Sequence, residues 1–176
     1  KENIMLTDKV LEALNKQVNA ELFSAYLYMA MSADFQAKNL AGFANWMRVQ
    51  AQEEMTHAMK IYNYILDRGG RADLMPIDRP QAEWKSPLNA FEEALGHEQE
   101  ITAMINNLIE LAKVEKDPAT ESMLRWFVDE QVEEEANADE NVQKLKMIGD
   151  DTSATFILDQ EMKQRTFVDE TQNNQE

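Results

Sequence analysis

Four glutamates and one histidine interrupt the apolar stripes of four long helical stretches. Reading each stretch in alternating steps of three and four residues gives one mostly apolar stripe, the side that a helix turns towards a core. The polar interruptions stand near the midpoints of the stripes and are Glu21, Glu54 with His57, Glu98 and Glu134. Ionised side chains buried without a partner cost several kcal/mol each, so a cation must offset them. Carboxylates with one imidazole suit iron or manganese better than structural zinc, and the pattern predicts a pair of metal ions.

The elements that position these groups are predicted to be five helices in a single all-α domain, residues 1–168. The predicted helices cover residues 7–37, 41–69, 87–116, 118–149 and 153–165, and a flexible, polar and acidic tail covers 169–176. Thr7 reads as the N-cap of the first helix, and the pairs Ser86-Pro87 and Asp117-Pro118 each place a proline directly after a capping residue. Helix starts are therefore well marked.

The connections predict a four-helix bundle with one long crossover and a short fifth helix. The links after the first and third helices are short, which forces antiparallel neighbours. The link over residues 71–86 would reach roughly 50 Å when extended, slightly more than the length of about 42 Å of a helix of about 28 residues. The second and third helices are therefore expected to run parallel. Because helix midpoints coincide in either direction, the four carboxylates and His57 would meet at one level.

Composition excludes several function classes. The chain has 176 residues, a formal net charge of −16 and no cysteine. An acidic surface repels nucleic acid and anionic membranes and attracts cations, so neither of the first two is an expected partner. The absence of cysteine excludes disulfides and thiolate metal sites. No apolar run of about 18 residues and no secretory profile are present, and we expect a cytoplasmic protein.

Four polar residues beside the central groups have two interpretations each. Gln131 fits direct metal ligation and a hydrogen bond to a neighbouring carboxylate equally well. Glu53, Glu130 and Glu133 lie one step round their helices from the central glutamates. They fit an exposed acidic face or a weaker outer metal site.

Two aromatic rings near the central groups receive structural interpretations first. Tyr28 follows Glu21 by two helical turns and reads as a core tyrosine, with electron donation to the metal centre as the alternative. His97 projects about 100° away from Glu98 on a helix. We therefore expect His97 at the surface or at an interface.

Four stretches of the sequence closely resemble the bacterial non-haem ferritins. They are NAELFSAYLYM at 19–29, AQEEMTHAMKI at 51–61, GHEQEIT at 96–102 and WFVDEQVEEE at 126–135. The resemblance covers the four long helices and the crossover, and it implies the ferritin-like bundle. It also implies a ferroxidase centre in which Glu21, Glu54 and His57 hold one iron, Glu54, Glu98 and Glu134 hold the other, and Glu54 bridges them.

The same resemblance gives roles to the residues around that centre. Gln131 falls where such ferritins place a glutamine beside the second iron, and Glu53, Glu130 and Glu133 fall where bacterial members hold a third iron. Tyr28 and Trp126 match aromatic residues near the centre. The implied activity is oxidation of Fe²⁺ by O₂ or H₂O₂, with storage of ferric mineral in a homo-oligomeric cage of 24 subunits whose fifth helices lie at subunit contacts.

Three alternatives remain beside this interpretation. Bacterioferritins bind haem through a methionine on the second helix, and Met55 stands at a comparable offset from His57. The fourth helix reads Gln131 and Glu134 rather than the glutamate and histidine of bacterioferritins, which disfavours haem. A di-iron peroxidase or oxygenase without storage is the second alternative, although the lack of cysteine argues against a rubrerythrin arrangement. A purely structural bundle, the third, would leave the central carboxylates unexplained.

Overall fold

Residues 6–172 are described by the computed structural model as five α-helices and one short 3-10 helix. The helices are α1 (Asp8–Ala37), α2 (Ala41–Asp67), α3 (Pro87–Val114), α4 (Pro118–Ile148), α5 (Thr152–Met162) and the 3-10 helix Glu170–Gln172. The prediction of an all-α fold is confirmed, since none of the described residues lies in a strand. None of these helices is long and apolar enough to cross a membrane.

Side chains fix the starts of α1, α3 and α4 as the sequence predicts. Thr7, Ser86 and Asp117 each accept a hydrogen bond from the backbone N–H of the third residue after them. Such bonds satisfy N–H groups that the first turn of a helix leaves without partners. The C-terminal ends differ slightly from prediction, and the largest difference is at α5, which ends at Met162 and leaves Arg165 beyond the helix.

Contacts between helix ends establish the topology. The rings of Trp46 and Phe91, near the starts of α2 and α3, have centroids 4.9 Å apart, so these two helices run parallel. At the other end, the Nη1 atom of Arg68, just after α2, lies 3.1 Å from Oδ1 of Asp117, just before α4. These two helices are therefore antiparallel, and the bundle has the predicted long crossover.

The crossover, residues 68–86, follows α1 along the bundle. Near its beginning, the Asn15 side-chain amide donates a hydrogen bond to the Arg71 carbonyl at 3.1 Å. Near its end, the Trp84 backbone N–H donates to Asp34 Oδ2 at 3.2 Å. Asn15 and Asp34 lie near opposite ends of α1, so the link spans most of the bundle's length.

The apolar core is divided into two clusters by a polar layer. One cluster includes Met31, Phe35, Phe43, Met47 and Phe91. The other includes Leu14, Val18, Ile61, Ile105 and Leu124. The polar interruptions of the helical stripes lie between the residues of these clusters, as their central sequence positions require.

Helix α5 docks on the start of α2 through Asp159. Its Oδ1 atom accepts hydrogen bonds from the backbone N–H groups of Gly42 at 2.7 Å and Phe43 at 3.1 Å. These bonds cap α2, whose own N-cap residue, Leu40, makes no side-chain capping bond. A Cβ atom at position 42 would lie 1.6 Å from the Asp159 carbonyl oxygen, so only glycine permits this approach.

Part of the predicted tail, residues 169–172, is described by the structure, and the flexibility of the tail stays a prediction. The 3-10 helix Glu170–Gln172 contacts α2. Residues 173–176 of the predicted tail lie outside the described residues.

Candidate metal centre

Six polar side chains from α1 to α4 form the layer between the two apolar clusters. None of them is more than 5% exposed. They are Glu21, Glu54, His57, Glu98, Gln131 and Glu134. Helix periodicity places these residues on inward faces, and the topology places them at one height.

Five of these side chains form two overlapping groups. Ligand atoms of Glu21, Glu54 and His57 all lie within 4.8 Å of one another, and so do those of Glu54, Glu98 and Glu134. Glu54 belongs to both groups, which is the position required of a bridging carboxylate. The groups correspond to the two ligand sets that the resemblance implies, and ion binding by them stays a prediction.

Glu21 has one carboxylate oxygen without a hydrogen-bond partner. Its Oε1 atom accepts from the Gln17 side-chain amide at 2.8 Å. Its Oε2 atom is the one buried side-chain polar atom of the described residues that has no partner. Burial, reinforced by the charge of Glu54, raises the pKa of Glu21 to about 8. A cation placed between Glu21 and Glu54 would give Oε2 of Glu21 a partner and offset the free-energy cost of burying two ionised carboxylates.

Glu54 and His57 form a buried pair, with Oε2 of Glu54 and Nδ1 of His57 3.4 Å apart. Burial disfavours the charged form of both side chains, but the attraction between the two charges outweighs this effect. The pKa of Glu54 is lowered by His57, and the pKa of His57 is raised well above its usual range by Glu54 and Glu130. A proton on His57 therefore supplies positive charge to the layer before any metal ion does, and a metal ion ligated by His57 must replace it.

Tyr28 donates a hydrogen bond to Oε1 of Glu98. Burial and then the charge of Glu54 raise the pKa of Glu98 well above its usual range. Burial and the charge of Glu98 raise the pKa of Tyr28 in turn, so the phenol keeps its proton and acts as a donor. This bond fixes one oxygen of Glu98, and the electron-donor role of Tyr28 stays a prediction.

Gln50 links the two carboxylates on the other side of the layer. Its Nε2 atom donates to Glu134 Oε2 at 2.5 Å and to Glu54 Oε1 at 3.2 Å. Burial and then the charge of Glu54 raise the pKa of Glu134 to about 8. Gln50 is not among the predicted site residues, although its position one helical turn before Glu54 is a signal that could have identified it.

Gln131 makes the hydrogen bond to a neighbouring carboxylate that one of its two predicted interpretations requires. Its Nε2 atom donates to the Glu98 carbonyl at 3.1 Å, to Glu98 Oε2 at 3.2 Å and to Thr102 Oγ1 at 3.2 Å. A side-chain amide ligates metal ions through its oxygen, whereas these bonds engage only its nitrogen. Gln131 therefore positions Glu98, and direct ligation through Oε1 stays a prediction.

A third group, on the side of the layer towards α5, contains His57, Glu130 and Glu134, whose ligand atoms lie within 4.8 Å of one another. The predicted outer residues Glu53, Glu130 and Glu133 all line one cavity of about 220 Å³ there. Of these three, only Glu130 belongs to the compact group. Glu53 is instead bound to Arg165, with 2.5 Å between Oε2 and Nη2.

His97, which was expected at the surface or at an interface, is half-buried in this chain, and its position at an interface stays a prediction. The imidazole packs between α1 and α3, with its Nε2 atom 2.7 Å from Ser24 Oγ and its ring centroid 5.9 Å from that of Phe23. Burial lowers its pKa. His97 projects from a different side of α3 than Glu98, and α1 packs on that side. The sequence of α3 alone does not reveal this contact.

Trp126 and Met55 have different relations to the layer. The Trp126 ring lies edge-on to His57, with centroids 5.4 Å apart, which agrees with an aromatic residue beside the centre. Met55 is 44% exposed and lines, with Met29, an apolar groove of about 540 Å³. Haem binding there stays an alternative prediction.

Comparisons with known proteins establish the family. Residues 11–148 match the Ferritin family, described as a ferritin-like domain. The bacterial non-heme ferritin of Staphylococcus aureus strain MRSA252 is 46% identical over 166 residues, which cover 94% of this chain and 100% of that protein. The counterpart in Staphylococcus haemolyticus is 45% identical with the same coverage. The chain belongs to the ferritin family, as its resemblance implied.

Solved structures agree with the sequence comparison. An Archaeoglobus fulgidus ferritin engineered into a closed form has a TM-score of 0.92 at 50% identity, covering 93% of this chain and 99% of that one. The open pore ferritin of the same hyperthermophilic archaeon has a TM-score of 0.91 at 50% identity, covering 92% of this chain and 98% of that one. The ferritin-like fold is therefore confirmed.

Proposed function

We propose that this chain oxidises Fe²⁺ to Fe³⁺ at a two-iron centre inside the bundle and stores the ferric product within a cage of 24 chains. The observation that carries the proposal is the pair of overlapping carboxylate groups that share Glu54. The unpartnered oxygen of Glu21 supports it, because a bound cation would give this buried acceptor a partner.

The ligand chemistry favours iron oxidation. Hard carboxylate oxygens stabilise Fe³⁺ more than Fe²⁺, so they lower the reduction potential of bound iron. Glu54 would hold both substrate ions close enough to react with one oxidant. Two Fe²⁺ ions each give one electron, and O₂ with two protons becomes H₂O₂, or H₂O₂ with two protons becomes two molecules of water.

The surroundings support small cations as substrates over organic molecules. The cavity beside the centre measures about 220 Å³ and is lined by Glu53, Glu130, Glu133 and Glu134 among others. Pockets for drug-sized ligands are larger, about 300–1,000 Å³, and mostly apolar. This observation favours a ferroxidase over a di-iron oxygenase with an organic substrate.

Storage and assembly rest on relatives. The related chains are ferritins, and two related structures are an open pore ferritin and an engineered closed form. A cage with a mineral interior would need iron to leave the centre, and the acidic cavity offers a route lined by carboxylates. Net charge of −16 would draw Fe²⁺ towards the assembly by electrostatic steering. We expect the cytoplasm as its location.

Anaerobic loading with Fe²⁺ followed by mixing with O₂ tests the proposal. Replacing Glu54 and His57 together by alanine is expected to slow formation of the ferric product at least about a hundredfold, since both iron positions lose a ligand. Glu12→Ala is the matched control, because Glu12 is an exposed glutamate on α1 with a 69% exposed side chain. Equal rates in the parent and the double variant would exclude this centre.

Size-exclusion chromatography with an iron assay tests storage separately. A particle of roughly 490 kDa, the mass of 24 chains, is expected to elute with ferric mineral. A small oligomer that oxidises iron and retains none would instead support the di-iron peroxidase alternative.

A further inference from the structure

Arg165 reaches into the acidic cavity from beyond the end of α5. It is the one basic residue among the described residues that line this cavity. Its Nη2 atom lies 2.5 Å from Oε2 of Glu53, and the two side chains are 21% and 16% exposed. A fixed positive charge is therefore paired with one of the five glutamates that line the cavity.

Several other contacts hold the guanidinium of Arg165. Nη2 donates to Gln50 Oε1 at 2.9 Å, and Nη1 donates to the Trp46 carbonyl at 3.3 Å. The guanidinium also lies 4.3 Å from the centroid of the Trp46 ring, which is a cation–π arrangement. Asn45 fixes the local backbone by donating to the Arg165 carbonyl at 3.0 Å. The position of Arg165 is therefore built by α2 and does not depend on Glu53 alone.

The ion pair explains why Glu53 is absent from the compact group at this cavity. That group consists of His57, Glu130 and Glu134. Glu53 lines the same cavity, but a carboxylate engaged by a guanidinium at 2.5 Å offers less negative charge to a second cation. A metal ion in the cavity could gain Glu53 as a ligand after the guanidinium had left it.

We propose that Arg165 competes with metal ions for Glu53 and thereby sets the affinity of the outer cation position. This inference rests on the proposed function, because it assigns a further residue to the same centre. The contacts of Arg165 with Gln50 and Trp46 do not involve Glu53, so they can hold the guanidinium beside the cavity when a metal ion takes the carboxylate. The outer position is thus kept weaker than the two inner positions, and an ion that reaches it is released more readily.

Zn²⁺, which undergoes no oxidation, is the probe for the first test. Isothermal titration calorimetry of the metal-free, assembled protein is expected to show two tight ions per chain and one weaker ion. In Arg165→Met the third ion is expected to bind about tenfold more tightly, the ratio that corresponds to loss of one competing charge-assisted hydrogen bond. Arg125→Met is the matched control, because Arg125 pairs with Glu121 at 3.2 Å and its side chain is 74% exposed; its third affinity should equal that of the parent.

A second variant separates competition from a merely structural role. In Glu53→Gln, Arg165 has no carboxylate to hold, so adding Arg165→Met to this background should leave the third affinity unchanged. An equal tightening with and without Glu53 would contradict competition, and so would no tightening in Arg165→Met. If Arg165→Met does not assemble, Arg165→Lys replaces it, with and without Glu53→Gln. A lysine ammonium lacks the planar guanidinium fork, so it should still weaken the contact with Glu53.

The failure of this inference is distinguishable from that of the proposed function. Normal iron oxidation together with an unchanged third Zn²⁺ affinity in Arg165→Met would contradict the role of Arg165 only. Unchanged iron oxidation after replacement of Glu54 and His57 would contradict the ferroxidase centre itself.

Discussion

The Nδ1 atom of His57 lies 3.4 Å from Oε2 of Glu54, and the two side chains are only 3% and 2% exposed. In the metal-free chain this contact makes the imidazolium a buried counter-ion for the central carboxylates. Protons and metal ions therefore compete for the same layer. Several measurable properties follow from that competition.

The stability of the metal-free protein is expected to fall as the pH rises from about 5 to about 8. Glu21 and Glu134 have pKa values raised to about 8 by burial, whereas the unfolded chain releases these protons near the ordinary glutamate pKa of 4.5. Between these values the folded state holds more protons, so rising pH favours unfolding by up to about 1.4 kcal/mol per pH unit for each group.

Thermal unfolding in the presence of a chelator measures this dependence. Glu21→Gln should show a flatter decline than the parent, and added Zn²⁺ should abolish the decline in the parent. Glu140→Gln, at an exposed glutamate, should behave like the parent. A parent whose midpoint does not change over this pH range would contradict the assignment of protons to the layer.

At acid pH we expect protonation of Asp117 to lower the free energy of unfolding. Burial opposes its ionisation, but Arg68 and Thr120 outweigh it and lower the pKa of Asp117. Its stabilising contribution is thus complete above the ordinary aspartate range and is lost as the pH falls through the lowered value. Asp117→Ala also removes the N-cap of α4 and should cost about 1 kcal/mol at neutral pH.

Urea unfolding of Asp117→Ala between about pH 3 and about 7 tests this expectation. The difference from the parent should shrink as the acid limit is approached, because protonation removes the same interaction in the parent. Glu110→Ala, whose side chain is 70% exposed, is the control. A difference that stays constant down to the acid limit would argue against the lowered pKa.

Gly42→Ala is expected to displace α5. The added Cβ would lie 1.6 Å from the Asp159 carbonyl oxygen, so the helix must move or the start of α2 must distort. Overpacking of this kind typically costs about 1–3 kcal/mol. Hydrogen exchange should show lost protection in α5 and at the start of α2.

Gly96→Ala provides the matched comparison for this substitution. Gly96 lies within α3, and no atom lies within 4 Å of an added Cβ. Because alanine has the higher helix propensity, this variant should gain up to about 1 kcal/mol. Equal stabilisation by both substitutions would show that α5 does not dock on Gly42.

Tyr28→Phe removes the hydrogen bond that Glu98 accepts. The metal-free protein should lose about 1–2 kcal/mol, because a buried carboxyl group loses its donor. If Tyr28 also donates an electron during iron oxidation, electron paramagnetic resonance should detect a tyrosyl radical in the parent that is absent from the variant. Tyr26→Phe is the control, since Tyr26 is 48% exposed. A radical that persists in Tyr28→Phe would exclude Tyr28 as its source.

Local sequence signals were sufficient for the bundle and for the central layer. The caps Thr7, Ser86 and Asp117 are read within one helical turn, and the periodicity that places Glu21 and Glu98 inward is also local. Topology then needed only link lengths. These properties do not depend on which side chain meets which across the bundle.

The remaining features depend on contacts between distant segments. His97 is partly covered because α1 packs against the side of α3 from which it projects. Glu53 is paired with Arg165 because α5 ends at Met162, which leaves Arg165 beyond the helix. The two acceptors of Gln50 stand on different helices, α2 and α4, so the local sequence does not reveal which carboxylates it joins. The sequence places Arg165 at the end of the predicted fifth helix, and nothing in that local pattern indicates that its side chain contacts Glu53.

The polar layer makes the bundle a pair of small hydrophobic cores separated by mutually repelling groups. Ions held by Glu21, Glu54, Glu98 and Glu134 would convert that weak layer into a crosslink between all four long helices. Ligands that bind only the folded state stabilise it by mass action. Metal binding would therefore couple the chain's resistance to proteolysis to metal supply, and a chain made under iron starvation is expected to be degraded more easily.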